Sequence, residues 1–180
     1  MNRENSKNKS FPQRLGNSMI IVAWVALLGM LTLFFSRFLQ QQHNPNEKVI
    51  TYSKTGYHEV VLQRNRLGHY LARGKINGKP VEFILDTGAT MVSIPGRLAA
   101  GLHLQRGQIM AVNSANGTIP VYATRLDRVR LGEILQRDIR ATINPSMEGD
   151  EVLLGMSFLK HLEMNQQGEQ LTLRQYRQVD

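Results

Sequence analysis

Asp86 is the residue of this sequence best suited to acid–base chemistry, because it ends an apolar stretch and a turn follows it. The residues concerned are Val81-Glu82-Phe83-Ile84-Leu85-Asp86-Thr87-Gly88. A carboxylate at the rim of an apolar core is costly to ionise without hydrogen-bonding partners. Gly88 permits a sharp turn that brings backbone amides towards this carboxylate. The pattern predicts a carboxyl group held for chemistry. An ordinary turn between two strands is the alternative, since Asp and Gly both favour turns.

Other kinds of catalytic or binding site find little support in the sequence. The chain has no cysteine, which excludes disulfides, a thiol nucleophile and thiolate metal sites. Its histidines lack a metal-binding spacing, and neither a Gly-x-Ser-x-Gly motif nor a phosphate-binding glycine loop occurs. We therefore expect no metal and no cofactor. The net charge is +8, but the basic residues form short scattered groups without interleaved aromatic residues. This distribution favours a solvated surface over nucleic-acid binding.

A β-hairpin is the element that must deliver Asp86. Asn77-Gly78 is the strongest short-range hairpin signal that a sequence offers. It joins a strand predicted at residues 70–76 to a strand predicted at residues 81–85. The returning strand therefore ends at Asp86, which places the carboxyl group at the tip of a loop.

The segment Ile84-Leu85-Asp86-Thr87-Gly88-Ala89-Thr90 resembles the active-site loop of the aspartic proteases. The likeness is to the retropepsin-like (clan AA), single-lobed branch, in its bacterial, membrane-anchored type. It implies a mainly β fold, a closed acid-protease barrel with one or two short helices. It also implies that Asp86 is catalytic, that the Thr87 hydroxyl hydrogen-bonds across the active site and that Gly88 presents a backbone amide to the carboxylate. Other members have Ser or Thr where this chain has Ala89, which cannot donate a hydrogen bond. We therefore expect a weakly acidic to neutral pH optimum.

Two further segments extend the resemblance. A hairpin with a small, polar tip is predicted between residues 108 and 123, where the family has the flap that closes over substrate; an ordinary surface hairpin is the alternative. The predicted flap tip consists of Asn113, Ser114, Ala115, Asn116 and Gly117. Later in the chain, Leu154 and Gly155 lead into a short predicted helix, as in the strand and helix that pack behind the catalytic loop of the family.

The chemistry of this family needs two carboxylates, and the chain offers one suitable Asp. Asp127, Asp138 and Asp150 are not followed by Thr-Gly or Ser-Gly. The second carboxylate must come from another copy of the chain, so catalysis implies a homodimer with Asp86 facing its equivalent across a two-fold axis. The function predicted is an aspartic endopeptidase acting on polypeptides. The alternative is a non-catalytic, membrane-tethered peptide-binding or dimerisation module with the same fold.

The N-terminal part of the chain has the composition of a membrane anchor. Residues 1–14 form a basic tail, and residues 15–36 are uncharged and mostly apolar, about the length that crosses a bilayer as a helix. A cleaved signal peptide is the alternative, but no small-x-small cleavage site follows the apolar run. We predict a cytoplasmic tail at 1–14, a transmembrane helix at 15–36, a polar linker at 37–56 and the protease domain at 57–176.

The charges beside the apolar segment predict its orientation. Four basic residues precede it, whereas Arg37 and the more distant Lys48 follow it. Positively charged flanks stay in the cytoplasm. We therefore expect a single-pass protein of the cytoplasmic (inner) membrane, with its N-terminus in the cytoplasm and its protease domain in the periplasm or another extracytoplasmic space.

Overall fold

The computed structural model describes residues 11–114 and 117–177, without the side chains of residues 11–18, 41 and 114. The chain divides into two compact units between Gln40 and Gln41. The first unit contains most of helix α1 (Phe11–His43). Within this helix, Met19–Gln40 is long and apolar enough to cross a membrane, and none of it is buried in the protein. The same length and composition also fit a signal sequence near an N-terminus.

The second unit is mainly β. Its elements in chain order are β1 (Ile50–Lys54), β2 (Tyr57–Gln63), β3 (Leu71–Ile76), β4 (Lys79–Leu85), β5 (Val92–Pro95), α2 (Gly96–Gly101), β6 (Ile109–Ser114), β7 (Gly117–Leu131), β8 (Ile134–Asn144), β9 (Glu151–Leu154), α3 (Met156–Leu159), β10 (Glu163–Gln167) and β11 (Gln170–Tyr176). The two short helices and the dominance of strands agree with the mainly β fold expected from the sequence.

The strands form two sheets. The smaller sheet is antiparallel, with the order β1-β2-β11-β10, and the larger has the order β3-β4-β9-β5-β8-β7-β6. Strand β3 also pairs with β7 through two residue pairs, Lys75 with Arg130 and Ile76 with Val129. The closed barrel expected from the resemblance stays a prediction.

Two pairs of parallel strands set the geometry around residue 86. Strand β4 pairs in parallel with β9, and β5 pairs in parallel with β8. Parallel neighbours require long connections, so residues far apart in sequence become adjacent. The ends of β4 and β9, at Leu85 and Leu154, lie side by side. The loop that follows β4 therefore starts beside the corner that follows β9.

The hydrophobic core joins the two sheets. Val60 and Leu173 of the smaller sheet belong to the same buried cluster as Phe83, Leu126 and Phe158. The side chain of Phe83 is fully buried. Because Phe83 lies in β4 and Phe158 in α3, the strand before Asp86 and the helix behind its loop are both anchored in this core.

The segment at 37–56, predicted to be a polar linker, contains regular structure. Helix α1 continues to His43, and β1 pairs with β2. Between them, Asn46 is buried and its side chain makes three hydrogen bonds: the amide donates to the carbonyls of Gln63 (2.8 Å) and Leu71 (2.7 Å), and the oxygen accepts from Gln63 N (2.7 Å). Polar composition favoured a linker, but an Asn side chain can also satisfy backbone groups at the end of a sheet.

Candidate active site

Asp86 directly follows β4 and is half-buried. Its backbone N–H donates to the Leu154 carbonyl at 3.3 Å, which extends the β4–β9 pairing to the loop itself. Its Oδ1 accepts a hydrogen bond from the Gly88 N–H at 2.8 Å, and the Asp86 carbonyl accepts one from Ala89 N at 3.3 Å. The loop therefore folds around the carboxylate and orients it. A single local N–H leaves most of the acceptor capacity of this carboxylate for other partners.

Gly88 lies close to the carboxylate that it bonds. A Cβ atom built at this position would be 3.1 Å from Asp86 Oδ1. This separation is tighter than an ordinary van der Waals contact, so a side chain here would press on the carboxylate. Thr87, between the two residues, is exposed in the single chain.

The corner between β9 and α3 holds the rest of the loop. Met156 N donates to the Ala89 carbonyl at 2.8 Å, and Ser157 N donates to the Thr90 carbonyl at 2.9 Å. The Ser157 hydroxyl accepts from Val92 N at 3.0 Å. These bonds fix the loop between Asp86 and β5 against the first turn of α3.

Gly155 makes this close approach possible. A Cβ atom at Gly155 would lie 2.6 Å from the Ala89 carbonyl oxygen and closer still to the carbonyl oxygen of Met91. No side chain fits at such distances without displacing the backbone. Leu154, the preceding residue, is fully buried. The structure thus places Leu154 and Gly155 directly behind the loop that carries Asp86.

Two of the other Asp residues take part in ion pairs elsewhere. Asp138 pairs with Arg125 of the adjacent strand, and Asp150 pairs with Arg97 at 2.8 Å. Within the described ranges, 11–114 and 117–177, no second carboxylate is hydrogen-bonded into the Asp86 loop. The site of one chain therefore contains one such carboxyl group.

The predicted flap coincides with the hairpin of β6 and β7. The two strands are in register from Ile109 with Tyr122 to Ser114 with Gly117. Thr118 Oγ1 donates to Asn113 Oδ1 at 2.9 Å near the tip. Ala115 and Asn116 lie outside the described residues. Closure of this hairpin over a substrate stays a prediction.

A groove of about 750 Å³ lies along the base of the hairpin. Met91, which follows the Asp86 loop, and Met110 of β6 are among its lining residues, whereas Asp86 is not. Three arginines also line it, namely Arg106, Arg125 and Arg140. The sequence predicted that these basic residues are scattered over the surface. Their convergence depends on the pairing of Arg125 with Arg140 between β7 and β8, which sequence spacing alone does not indicate.

Comparisons with known proteins agree with this arrangement. Residues 72–161 match the family described as gag-polyprotein putative aspartyl protease, a match that spans half of the chain. A protein of Sinorhizobium sp., described as an uncharacterized protein in the cobV 5′ region, is 34% identical over 134 residues, which cover 72% of this chain. The chain spans only 58% of the length of that relative.

Two solved structures are similar, and the first of them supports the fold. The crystal structure of a retropepsin-like aspartic protease from Rickettsia conorii has a TM-score of 0.55 and 22% sequence identity, and the match covers 71% of this chain and 96% of that one. EIAV protease in complex with the inhibitor HBY-793 matches with a TM-score of 0.45 at 18% identity, over 55% of this chain and 92% of that one. By its matching residues, which include the whole Asp86 loop, the chain belongs to the gag-polyprotein putative aspartyl protease family, and its fold is retropepsin-like.

Proposed function

We propose that the protein is an aspartic endopeptidase in which two copies of the chain each contribute Asp86. The observation that carries the proposal is the position of this carboxylate. It follows a core strand, accepts a hydrogen bond from Gly88 N, and lies on a loop fixed by the Gly155 corner. Such support gives a reacting group the fixed geometry that catalysis requires.

The proposed chemistry uses the two Asp86 carboxyl groups as a pair that shares one proton. Like charges at close range cannot both ionise readily, so one group stays protonated while the other is a carboxylate. The carboxylate takes a proton from a water molecule, which attacks the carbonyl carbon of the scissile peptide bond. The protonated partner donates to the carbonyl oxygen, which gives a tetrahedral intermediate with two hydroxyl groups. The first carboxyl group then passes the proton taken from water to the amide nitrogen, while its partner takes a proton back from a hydroxyl group. The C–N bond breaks, the acid and amine peptides leave, and the pair again shares one proton.

Two features support a homodimer. Each chain supplies a single suitable carboxylate, and Thr87 and Gly88 beside it are exposed, as residues at a contact between subunits would be in the isolated chain. A two-fold axis through this loop would bring the two carboxyl groups together with the same contacts on both sides. In that arrangement the Thr87 hydroxyl would hydrogen-bond across the pair, and the β6–β7 hairpin would act as the flap.

The membrane anchor fits this scheme. With α1 across the cytoplasmic membrane and the basic tail inside, the protease domain would lie in the periplasm. Confinement of two chains to one surface raises their effective concentration, which favours a weak dimer. Two reporters fused after residue 177 test this orientation, one that is active only outside the cytoplasm and one that is active only inside it. We expect activity from the first and none from the second. Activity from the second alone would mean that the orientation is reversed.

Cleavage assays with the full-length protein in detergent micelles test the proposal. The unaltered protein and Asp86→Asn would be incubated with an unfolded protein substrate, beside Asp150→Asn as a matched control at an exposed ion pair. We expect cleavage by the unaltered protein and the control, and none by Asp86→Asn. Equal cleavage by Asp86→Asn would refute the mechanism. Peptide binding without cleavage by any of the three would identify a non-catalytic module.

A mixing experiment tests the shared site. When the unaltered chain and Asp86→Asn are co-expressed in equal amounts, randomly assembled dimers should retain about one quarter of the activity of the same total amount of unaltered protein. A site complete within one chain would instead retain about one half. The second result would exclude the dimeric active site even if the protein is a protease.

A further inference from the structure

A histidine and two glutamates, residues that commonly bind metal ions, lie close together at the paired strands β4 and β9. His43 Nε2 lies 3.9 Å from an oxygen of Glu82 and 3.9 Å from an oxygen of Glu151. One candidate ligand atom from each of the three residues lies within 4.8 Å of the other two. The three residues come from the end of α1, from β4 and from β9. This set is called the His43 cluster below.

The parallel pairing of β4 and β9 forces the two carboxylates together. Glu82 and Glu151 are register partners, so their side chains leave the sheet at neighbouring positions. Both are about two-thirds or more buried, with 26% and 32% of the side chain exposed. Neighbouring carboxylates in a partly desolvated position repel each other unless a cation lies between them.

The described residues place no Lys or Arg nitrogen within 4 Å of either carboxylate. Arg73, which is opposite Glu82 on β3, instead forms an ion pair with Glu47 at 2.9 Å. In this part of the chain, His43 is the residue whose side-chain nitrogen approaches both carboxylates, at 3.9 Å from each. The negative charge of Glu82 and Glu151 must therefore be balanced by the imidazole or by an ion from solution.

Contacts outside the cluster orient its members. Asn44 is buried, and its amide donates to Glu82 Oε1, while its own oxygen accepts from Asn46 N at 2.8 Å. The His43 carbonyl accepts from Asn65 Nδ2 at 3.0 Å. These contacts fix the backbone at residue 43 and one oxygen of Glu82. The other oxygen of Glu82 faces His43. Hydrogen bonds that orient ligands in this way are typical of protein metal sites.

We propose that His43, Glu82 and Glu151 bind one divalent transition-metal ion, of which Zn²⁺ is the best match. One imidazole nitrogen and two carboxylate oxygens are ligands that Zn²⁺ accepts, with water completing the coordination. Ligand atoms around tetrahedral Zn²⁺ lie about 3.4 Å apart, given metal–ligand distances of about 2.1 Å. The two separations from His43 are 3.9 Å, and the whole set lies within 4.8 Å. Binding therefore requires side-chain rotation, for which the half-exposed His43 has room.

The position of the cluster gives the ion a structural role. Glu82 lies in β4, which ends directly before Asp86, and Glu151 lies in β9, which ends directly before Gly155. A bound ion would hold these two strands to each other and to His43, the last residue of α1. Asp86 is not a ligand, so the proposed site is separate from the catalytic one and does not depend on the proposed protease activity.

Sequence patterns did not reveal this cluster because its ligands are distributed over the chain. Recognisable metal motifs place two ligands within a few residues on one element. Here each ligand lies on a different element, and the β4–β9 register brings the two carboxylates together.

Zinc binding tests the proposal directly. Full-length protein in detergent, purified with a tag that lacks histidine and stripped with a chelator, would be dialysed against increasing ZnCl₂ concentrations. We expect saturation at one ion per chain and a higher melting temperature that EDTA reverses. His43→Ala and Glu151→Gln should each weaken binding by about 100-fold or more, and Asn44→Ala, a positioning change, by about 10-fold. Far-UV circular dichroism would verify that each variant is folded.

His69→Ala provides the matched control, because His69 is an exposed histidine outside the cluster. Its zinc affinity and stoichiometry should equal those of the unaltered protein. The proposal is overturned if zinc does not bind saturably, if His43→Ala binds as tightly as the control, or if Ca²⁺ binds at the site and Zn²⁺ does not. The first of these results would mean that His43 serves the two carboxylates only as an ion-pair partner.

Discussion

A methyl group at Gly155 should detach the active-site loop from the structure behind it. In Gly155→Ala, the new Cβ would lie 2.6 Å from the Ala89 carbonyl oxygen and nearer still to that of Met91. The backbone dihedrals of Gly155 are φ −88° and ψ −173°, which alanine adopts without strain. The cost therefore arises from the contacts alone. Both contacted atoms belong to backbone and cannot move aside as a side chain would.

The size of the effect follows from two contributions. Forced overpacking of a rigid region costs about 1–3 kcal/mol. Relief of the clash requires the corner to move away, which lengthens the bonds from Met156 N to Ala89 O and from Ser157 N to Thr90 O. Each lost bond removes about 0.5–1.5 kcal/mol. We expect Gly155→Ala to lower the free energy of unfolding by about 2–6 kcal/mol, a large part of the ~5–15 kcal/mol typical of a domain.

Urea unfolding followed by circular dichroism measures this change. Gly101→Ala is the matched control, since no heavy atom lies within 4 Å of a Cβ built there, and its effect should stay within about 0.5 kcal/mol. Because the loop carries Asp86, peptide cleavage by Gly155→Ala should also fall under conditions where the variant remains folded. A free energy of unfolding within about 0.5 kcal/mol of the unaltered protein would refute the packing argument.

Three further predictions concern other contacts. Ala89→Ser should move the pH optimum of cleavage downward, because serine can donate to the ionised Asp86 carboxylate; an unchanged pH profile of kcat/KM would contradict this. The Arg174 hydrogen bond lowers the pKa of Glu59 below its ordinary value, and Lys54 adds to the effect. The stability from this group is present at neutral pH and is lost as the pH falls below about 4.5, so Glu59→Gln should flatten the acid limb of stability against pH, and an equally steep limb would count against it. Asn46→Ala should lower the free energy of unfolding measured in urea by about 2–4 kcal/mol, because it leaves buried backbone groups without partners; a change below about 0.5 kcal/mol would contradict this role.

Local elements were predictable where backbone chemistry leaves few choices. The Asn77-Gly78 turn joins β3 to β4 as expected, with positive φ at both residues, 50° and 85°. Such angles suit Asn and Gly and few other residues. The turn after Asp86 is local too, since Gly88 N donates to Asp86 Oδ1 at 2.8 Å. In each case, the deciding interactions lie within a few residues of one another.

Predictions failed or stopped short where distant residues decide the outcome. The polar composition around Asn46 suggested a linker, yet Asn46 bonds to Gln63 and Leu71 and is buried. Strand β7 is continuous from Gly117 to Leu131, well beyond the hairpin predicted to end at residue 123, because it pairs with β6 along one half and β8 along the other. Neither set of partners can be identified from local sequence.

The sequence by itself determined that Asp86 follows a core strand, that the turn after it bends back on the carboxylate, and that an apolar helix precedes the β unit. These features depend on residue type and on neighbours in the chain. Only the tertiary structure decided which residues pack against that loop and against the strand before it. The parallel pairing of β4 with β9 brings Gly155 against the Ala89 carbonyl and Glu151 against Glu82. Parallel register is fixed by packing and hydrogen bonds between segments far apart in sequence, so no local pattern could have revealed either contact.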